Sequence, residues 1–244
     1  MISCNDAIFK LCGWHGREGG ILMYHYIQDK DFWKRLKSTC SDIVNQLVQS
    51  INKGSVMTVK ACLVGSGAKN LVTQNADNPI DLDYNIYILD TKSININNCC
   101  DIKEYIRKEF NSVLKTNGWG DCQDSTSALT TEQRVFKRGN KTAFSIDIAI
   151  TFKNDFGWHK LIHEKTGLVI YDRYYWNEIP NSRGLEERVY AIKLNHLWGE
   201  VRYTYLEKKN LYLQRNNNTH PSFIVYIESV NQIYNKYFEF SRRH

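Results

Sequence analysis

The run Asp81 to Leu89 (DLDYNIYIL) alternates without a break. Leu82, Tyr84, Ile86 and Ile88 fall on one side, and Asp81, Asp83, Asn85 and Tyr87 on the other. A period of two means a strand with one side buried and one side polar. It also sets the carboxylates of Asp81 and Asp83 on the same side. A second run, Ala143 to Phe152, repeats the pattern, with Phe144, Ile146, Ile148 and Ile150 opposed to Ser145, Asp147 and Ala149. Asp147 is the lone charge in that run. If both strands turn their apolar sides to a common core, Asp81, Asp83 and Asp147 converge on the other face. Crowded carboxylates repel unless cations neutralise them, and hard oxygen donors favour Mg²⁺, with Mn²⁺ as a substitute. Two such ions can clamp the attacking and leaving oxygens of a phosphoryl transfer.

The flanking sequence places this pair of strands in a mixed α/β setting. From Asp31 to Gly54 the apolar residues Phe32, Leu36, Cys40, Ile43, Val44, Leu47 and Ile51 recur at steps of three and four, which predicts an amphipathic helix closed by Gly54. Val56 to Val64 predicts a buried strand, ended by the turn Gly65-Ser66-Gly67. Asp101 to Gly118 reads as a helix with a capping box (Asp101, Glu104) and the stripe Ile102, Ile106, Phe110, Val113, Leu114. Gln133 to Lys137 reads as a strand joined to Ala143 to Phe152 through Arg138-Gly139-Asn140. After about residue 157 the pattern changes. Leu185, Val189, Ile192, Leu197, Val201 and Tyr205 predict one long helix, and Pro221 opens another with Phe223, Ile227, Val230, Tyr234 and Tyr237 on one face.

At the glycine turn, Gly65 leaves room for phosphate oxygens near the backbone, and Ser66 offers a hydroxyl and an amide N–H. With the strand carrying Asp81 and Asp83 and the later strand carrying Asp147, the segments LVGSG (63 to 67), DLDYNIYIL (81 to 89) and FSIDIAI (144 to 150) resemble the signature of the DNA polymerase β-like nucleotidyltransferases. The resemblance covers roughly residues 30 to 155. The stretch between Ser66 and Asp81 is longer than usual for that pattern. The resemblance implies an α+β fold: a nucleotidyltransferase-type mixed sheet with flanking helices in residues 1 to 157, and a helical C-terminal lobe in residues 158 to 244. It implies two Mg²⁺ ions on Asp81, Asp83 and Asp147, and an NTP whose phosphates meet Gly65, Ser66 and Lys193, the last from the segment YAIKLNHLW. A hydroxyl acceptor attacks the α-phosphorus and pyrophosphate leaves. A nucleotide or small molecule is favoured as acceptor over an RNA end or a protein side chain. The alternative is a nucleotide- or RNA-binding module that keeps the fold without the activity.

Composition adds limits. The excess of 32 basic over 26 acidic residues, +6, suits a polyanionic ligand without the basic groove of a long nucleic-acid track. The basic pairs Lys208-Lys209 and Arg242-Arg243 read as solvated ends. The 7 cysteines, an odd number at irregular spacings, fit reduced thiols in a cytoplasmic protein. Met1 to Gly20 does not read as a signal peptide, and no window is apolar enough for a membrane span. Cys4, Cys12 and His15 lack the spacing of a zinc site. His159 and His163 lack a third ligand, and read as a surface or partly buried pair. Tyr226, Tyr234 and Tyr237 read as core.

Overall fold

The computed structural model describes residues 23–180, 183–215, 217 and 221–239. Cys4, Cys12, His15, Asn216, Asn218 and the pair Arg242-Arg243 lie outside the described residues. Within them, the elements run β1 (Tyr24–Tyr26), α1 (Lys30–Lys53), β2 (Met57–Leu63), α2 (Gly65–Lys69), β3 (Thr73–Asn75), β4 (Ile80–Thr91) and α3 (Cys99–Thr116). There follow β5 (Gln123–Asp124), β6 (Leu129–Thr130), β7 (Phe144–Asn154), β8 (Gly157–Glu164), β9 (Arg173–Glu178), α4 (Arg183–Leu194), α5 (Trp198–Gln214) and α6 (Ser222–Tyr234).

The main sheet has the order β2-β4-β7-β6-β5, with β8 on the far part of β7 and β9 beyond β8. Only β4 and β7 pair in parallel; the other neighbours are antiparallel. A parallel pair needs a long crossover, and here it contains α3. The seven apolar residues of the α1 stripe are all buried. With Ile102, Ile106, Phe110 and Leu114 of α3, they form one core with the apolar side of the sheet, where Leu82, Ile86, Ile146 and Ile148 are each 0% exposed. Asp29 caps α1, its carboxylate accepting from Phe32 N at 2.9 Å. The core therefore claims one side of β4 and β7, and the carboxylates are left on the other.

A second apolar cluster joins α4, α5 and α6 through Ile192, Val201, Tyr205, Val225, Val230 and Ile233, and includes Leu71 from just after α2. The small ribbon β1-β3 fastens it: Asn210 holds the backbone of Tyr24 in both directions, and Tyr26 Oη donates to Arg202 O at 2.6 Å. The helical cluster is thereby held against the edge of the sheet where β4 begins.

Four details depart from the expected elements. The cap of α3 is Asn98, whose Oδ1 accepts from Asp101 N at 3.3 Å, so Asp101 and Glu104 form no capping box there. Residues 133–137 make a single bridge, Arg134 to Phe144, and the antiparallel partner of β7 is the short β6. Residues 157–178 add β8 and β9 to the sheet, so the helices begin at Arg183 rather than at residue 158. The inward positions of β8 include His159 and His163, and these polar side chains hide the period of two. The single long helix expected through Leu185 and Tyr205 is two, because His196 takes the left-handed φ of 58° between α4 and α5. Both halves feed the same cluster, so their apolar spacing runs on across the break. Among the described residues no helix is long and apolar enough to cross a membrane.

The alternation in β4 makes a simple contrast. Leu82→Ala is expected to cost about 2–5 kcal/mol in urea unfolding. Leu89→Ala, at a position 56% exposed, is expected to cost no more than about 0.5 kcal/mol.

Candidate active site

The register of β4 and β7 sets Asp83 beside Asp147 and Asp81 beside Ser145. Neighbouring strands lie ~4.8 Å apart, so the three carboxylates share one patch of the sheet. Asp81 is exposed, and its carboxylate accepts from Ser145 Oγ. Asp83 and Asp147 are half-buried. Asp147 is steadied by Thr130, its neighbour on β6, but its Oδ1 is buried with no hydrogen-bond partner.

Burial and the like charges of Asp147 and Asp81 push Asp83 up to about 6, against the pull of Lys160 and Lys69. Burial also raises Asp147, and Asp81 adds to it. The two lysines reach the patch from different elements. Lys160 comes from β8, paired with Thr151 of β7. Lys69 comes from the end of α2, where its Nζ donates to Gly65 O at 3.2 Å and stands 5.2 Å from the Tyr226 ring of α6. Burial lowers both ammonium groups.

Gly65 opens α2 with φ 61°, and a Cβ on it would come within 2.4 Å of Asp83 Oδ2. Glycine is required there twice over, for the left-handed backbone and for the approach of the carboxylate. Ser66 follows, its carbonyl accepting from Asn70 N and from Leu71 N at 3.0 Å. The turn is thus locked beside the carboxylates.

These residues line one wall of a cleft of about 350 Å³. The other wall carries Tyr205 and Lys209 of α5 and Ser222, Phe223 and Tyr226 of α6. Lys209 Nζ donates to Thr73 Oγ1 at 3.2 Å and Ser222 Oγ at 3.4 Å and lies 4.0 Å from the Tyr24 ring. Burial lowers it to about 8. Among the described residues no carboxylate pairs with it. A desolvated ammonium beside two hydroxyls is a natural seat for an anion.

The structure therefore brings Asp81, Asp83, Asp147, Gly65 and Ser66 to one cleft. Lys193 is exposed and outside the lining, its Nζ 4.9 Å from the Trp198 ring, although its charge reaches Lys69. Lys69 and Ser222 were not singled out from the sequence, and the pair Lys208-Lys209, read there as a solvated end, is instead partly buried within α5. Lys69 had a usable signal, three residues beyond Ser66 in a one-turn helix. Lys209 had none, since its partners Thr73 and Ser222 are distant in the chain. Tyr226 is both core, 6% exposed, and cleft wall.

Among the described residues no group of three or more His, Cys, Asp or Glu side chains stands as a formed metal site. His163 is engaged by Asp124 and Asp172 instead. The Asp trio nevertheless suits hard divalent cations: it is all carboxylate, it crowds like charge, and it includes an unpartnered oxygen of Asp147.

No protein-family model matches the chain, and no characterised protein matches it by sequence. Solved structures match its fold. A structure of E. coli MS115-1 CdnC with ATP has a TM-score of 0.56 at 12% identity, over 87% of this chain and 62% of that one. A STING-associated CdnE c-di-GMP synthase from Capnocytophaga granulosa has a TM-score of 0.51 at 13% identity, over 82% and 59%. The chain thus spans about 60% of the length of the structures it matches.

The raised Asp83 has a consequence for stability. The folded protein keeps this proton up to about pH 6, whereas the unfolded chain releases it around 3.8. The folded state binds more protons in that window, so stability falls as pH rises through it and stays lower above it. Urea unfolding without divalent ions is expected to show this fall, and Asp83→Asn to remove most of it. The mixed sheet, the flanking helices and the helical cluster beside it are the fold that the chain shares with CdnC and the CdnE c-di-GMP synthase.

Proposed function

We propose that the chain is a divalent-metal-dependent nucleotidyltransferase, moving a nucleoside monophosphate from an NTP to a hydroxyl and releasing pyrophosphate. The observation that carries this reading is the placement of Asp83 beside Asp147, with Asp81 two residues away, facing Gly65 and Ser66 in one cleft. Asp81, Asp83 and Asp147 are the residues that would hold Mg²⁺ or Mn²⁺. Bound there, such ions supply charge neutralisation at the oxygens of the reacting phosphate.

The chain's own groups then divide the remaining work. Gly65, with no side chain, admits phosphate oxygens to the backbone, and the Ser66 hydroxyl lies where it can donate to them. Lys209 and Ser222, on the opposite wall, hold the terminal phosphates; their hydroxyl-ammonium cluster has no competing carboxylate. Lys69 sits between the walls and balances charge near Asp83. Phe223, at the start of α6 and 54% exposed, offers a flat surface for the base. No protein nucleophile is needed, since positioning and charge neutralisation carry phosphoryl transfer.

The acceptor comes from the other direction. Beyond Asp83 the polar side of β4 continues through Asn85 and Tyr87 into a second cavity of about 600 Å³, where Tyr87 and Trp158 meet edge to face at 5.0 Å. Aromatic rings lining that cavity suit an acceptor with a base, and a nucleotide is the class we favour. The description of the matching CdnE as a c-di-GMP synthase supports this choice.

Purified protein incubated with each labelled NTP and Mg²⁺ or Mn²⁺ is expected to release pyrophosphate. Asp83→Ala with Asp147→Ala is expected to reduce release by more than about 100-fold, beyond the loss typical of an outer-shell partner. Unchanged release would remove the mechanism. Lys209→Met is expected to raise the KM for the NTP by roughly 10-fold or more, the range of a lost hydrogen bond to a charged group. Lys193→Met is expected to change it far less.

A further inference from the structure

Away from the cleft, four ionisable side chains form a row in which Lys103 and His163 are buried and Asp124 and Asp172 half-buried. Lys103 of α3, 1% exposed, pairs with Asp124 Oδ1 at 2.5 Å and donates to Ser125 O at 2.8 Å. The other oxygen of Asp124 lies 2.6 Å from Nδ1 of His163 on β8. Nε2 of the same ring lies 3.0 Å from Asp172 Oδ2, in the turn that leads into β9. Asp172 Oδ1 accepts from Thr166 N at 2.8 Å, which closes the turn on itself.

Each ring nitrogen of His163 therefore faces a carboxylate oxygen. A neutral imidazole has one N–H, so its bare nitrogen would set a lone pair against one of the two carboxylates. Only the doubly protonated ring donates to both, in charge-assisted bonds. The row then balances, with Lys103 and His163 positive and Asp124 and Asp172 negative. Around it also stand Tyr174 of β9, stacked on the ring at 4.0 Å, Cys100, Glu104 and Arg107 of α3, Cys122, and Lys165, which donates to Asp124 O. Of these, Glu104 is turned to Arg107.

We infer that His163 is a buried imidazolium latch that fastens the turn between β8 and β9, residues 165–172, to α3 and β5. The turn needs such a fastening because its apolar residues Leu168, Val169, Ile170 and Tyr171 are exposed and contribute no core. The latch holds through neutrality. Asp172 keeps its charge into acid, being held below the usual carboxylate range by Thr166 N–H and His163. Without either ring N–H a partly buried carboxylate loses its donor, and the turn opens locally while the sheet stays folded.

The test reads the ring and the turn separately from any enzymatic activity. In full-length protein labelled with ¹⁵N-histidine, both His163 nitrogens are expected to appear as N–H at neutral pH. Hydrogen exchange, corrected for intrinsic rates, is expected to show protection of amides 165–172 falling by at least about tenfold in His163→Phe, whose ring donates to neither carboxylate, while amides of β4 and β7 keep theirs. In Asp172→Asn, whose amide oxygen can still accept from Nε2–H, the fall is expected to stay below about threefold. A His163 ring with one bare nitrogen at neutral pH would overturn the latch. So would protection of amides 165–172 that is unchanged in His163→Phe.

Discussion

Asp83 and Asp147 stand side by side because Leu82 and Ile146, one residue before each, point the opposite way into a core that excludes water from both. In a strand the side chain period is two, so burial of one residue dictates exposure of the next. The α1 and α3 stripes bury the apolar sides of β4 and β7 together, and a slip of one residue would turn the carboxylates into that core. The register of the parallel pair is accordingly fixed by hydrophobic burial. The polar face inherits its geometry from the greasy one.

The site in turn works against the fold's electrostatics. Partial burial of Asp83 and Asp147 next to Asp81 disfavours their charged forms, and Lys69 and Lys160 offset this only in part. Such crowding weakens the metal-free protein, and in the function proposed above it is what divalent cations would relieve. The glycine at position 65 belongs to the same arrangement, since any Cβ there would collide with the Asp83 carboxylate. The opposite wall, built by α5 and α6, repeats the theme with opposite sign. Lys209 is desolvated, and among the described residues it is answered by hydroxyls and aromatic rings rather than by a carboxylate.

Much of this was legible because it is written in local periods. The α1 stripe, the alternation of β4 and β7, the glycine turn and the placement of Asp81 and Asp83 on one face all follow from spacing within a single segment, and Asp147 joins them once the two strands share a core. The misread parts depend on tertiary context. β8 hides its period because His159 and His163 face inward, where His163 is held by Asp124 and Asp172 from other segments. The break at His196 is a backbone choice that no apolar residue marks. Lys209, read with Lys208 as a solvated end, lines the cleft because its partners Thr73 and Ser222 meet it only after the helical cluster packs against the sheet.

The central claim is that the Asp patch is a divalent-cation site next to a phosphate-binding turn. A crystal structure of the protein with Mn²⁺ and a non-hydrolysable NTP analogue addresses it directly. Anomalous scattering is expected to place Mn²⁺ within bonding distance of carboxylate oxygens from Asp81, Asp83 and Asp147, with the analogue's phosphates against Gly65 and Ser66. Mn²⁺ bound elsewhere, or phosphates seated away from that turn, would contradict the account.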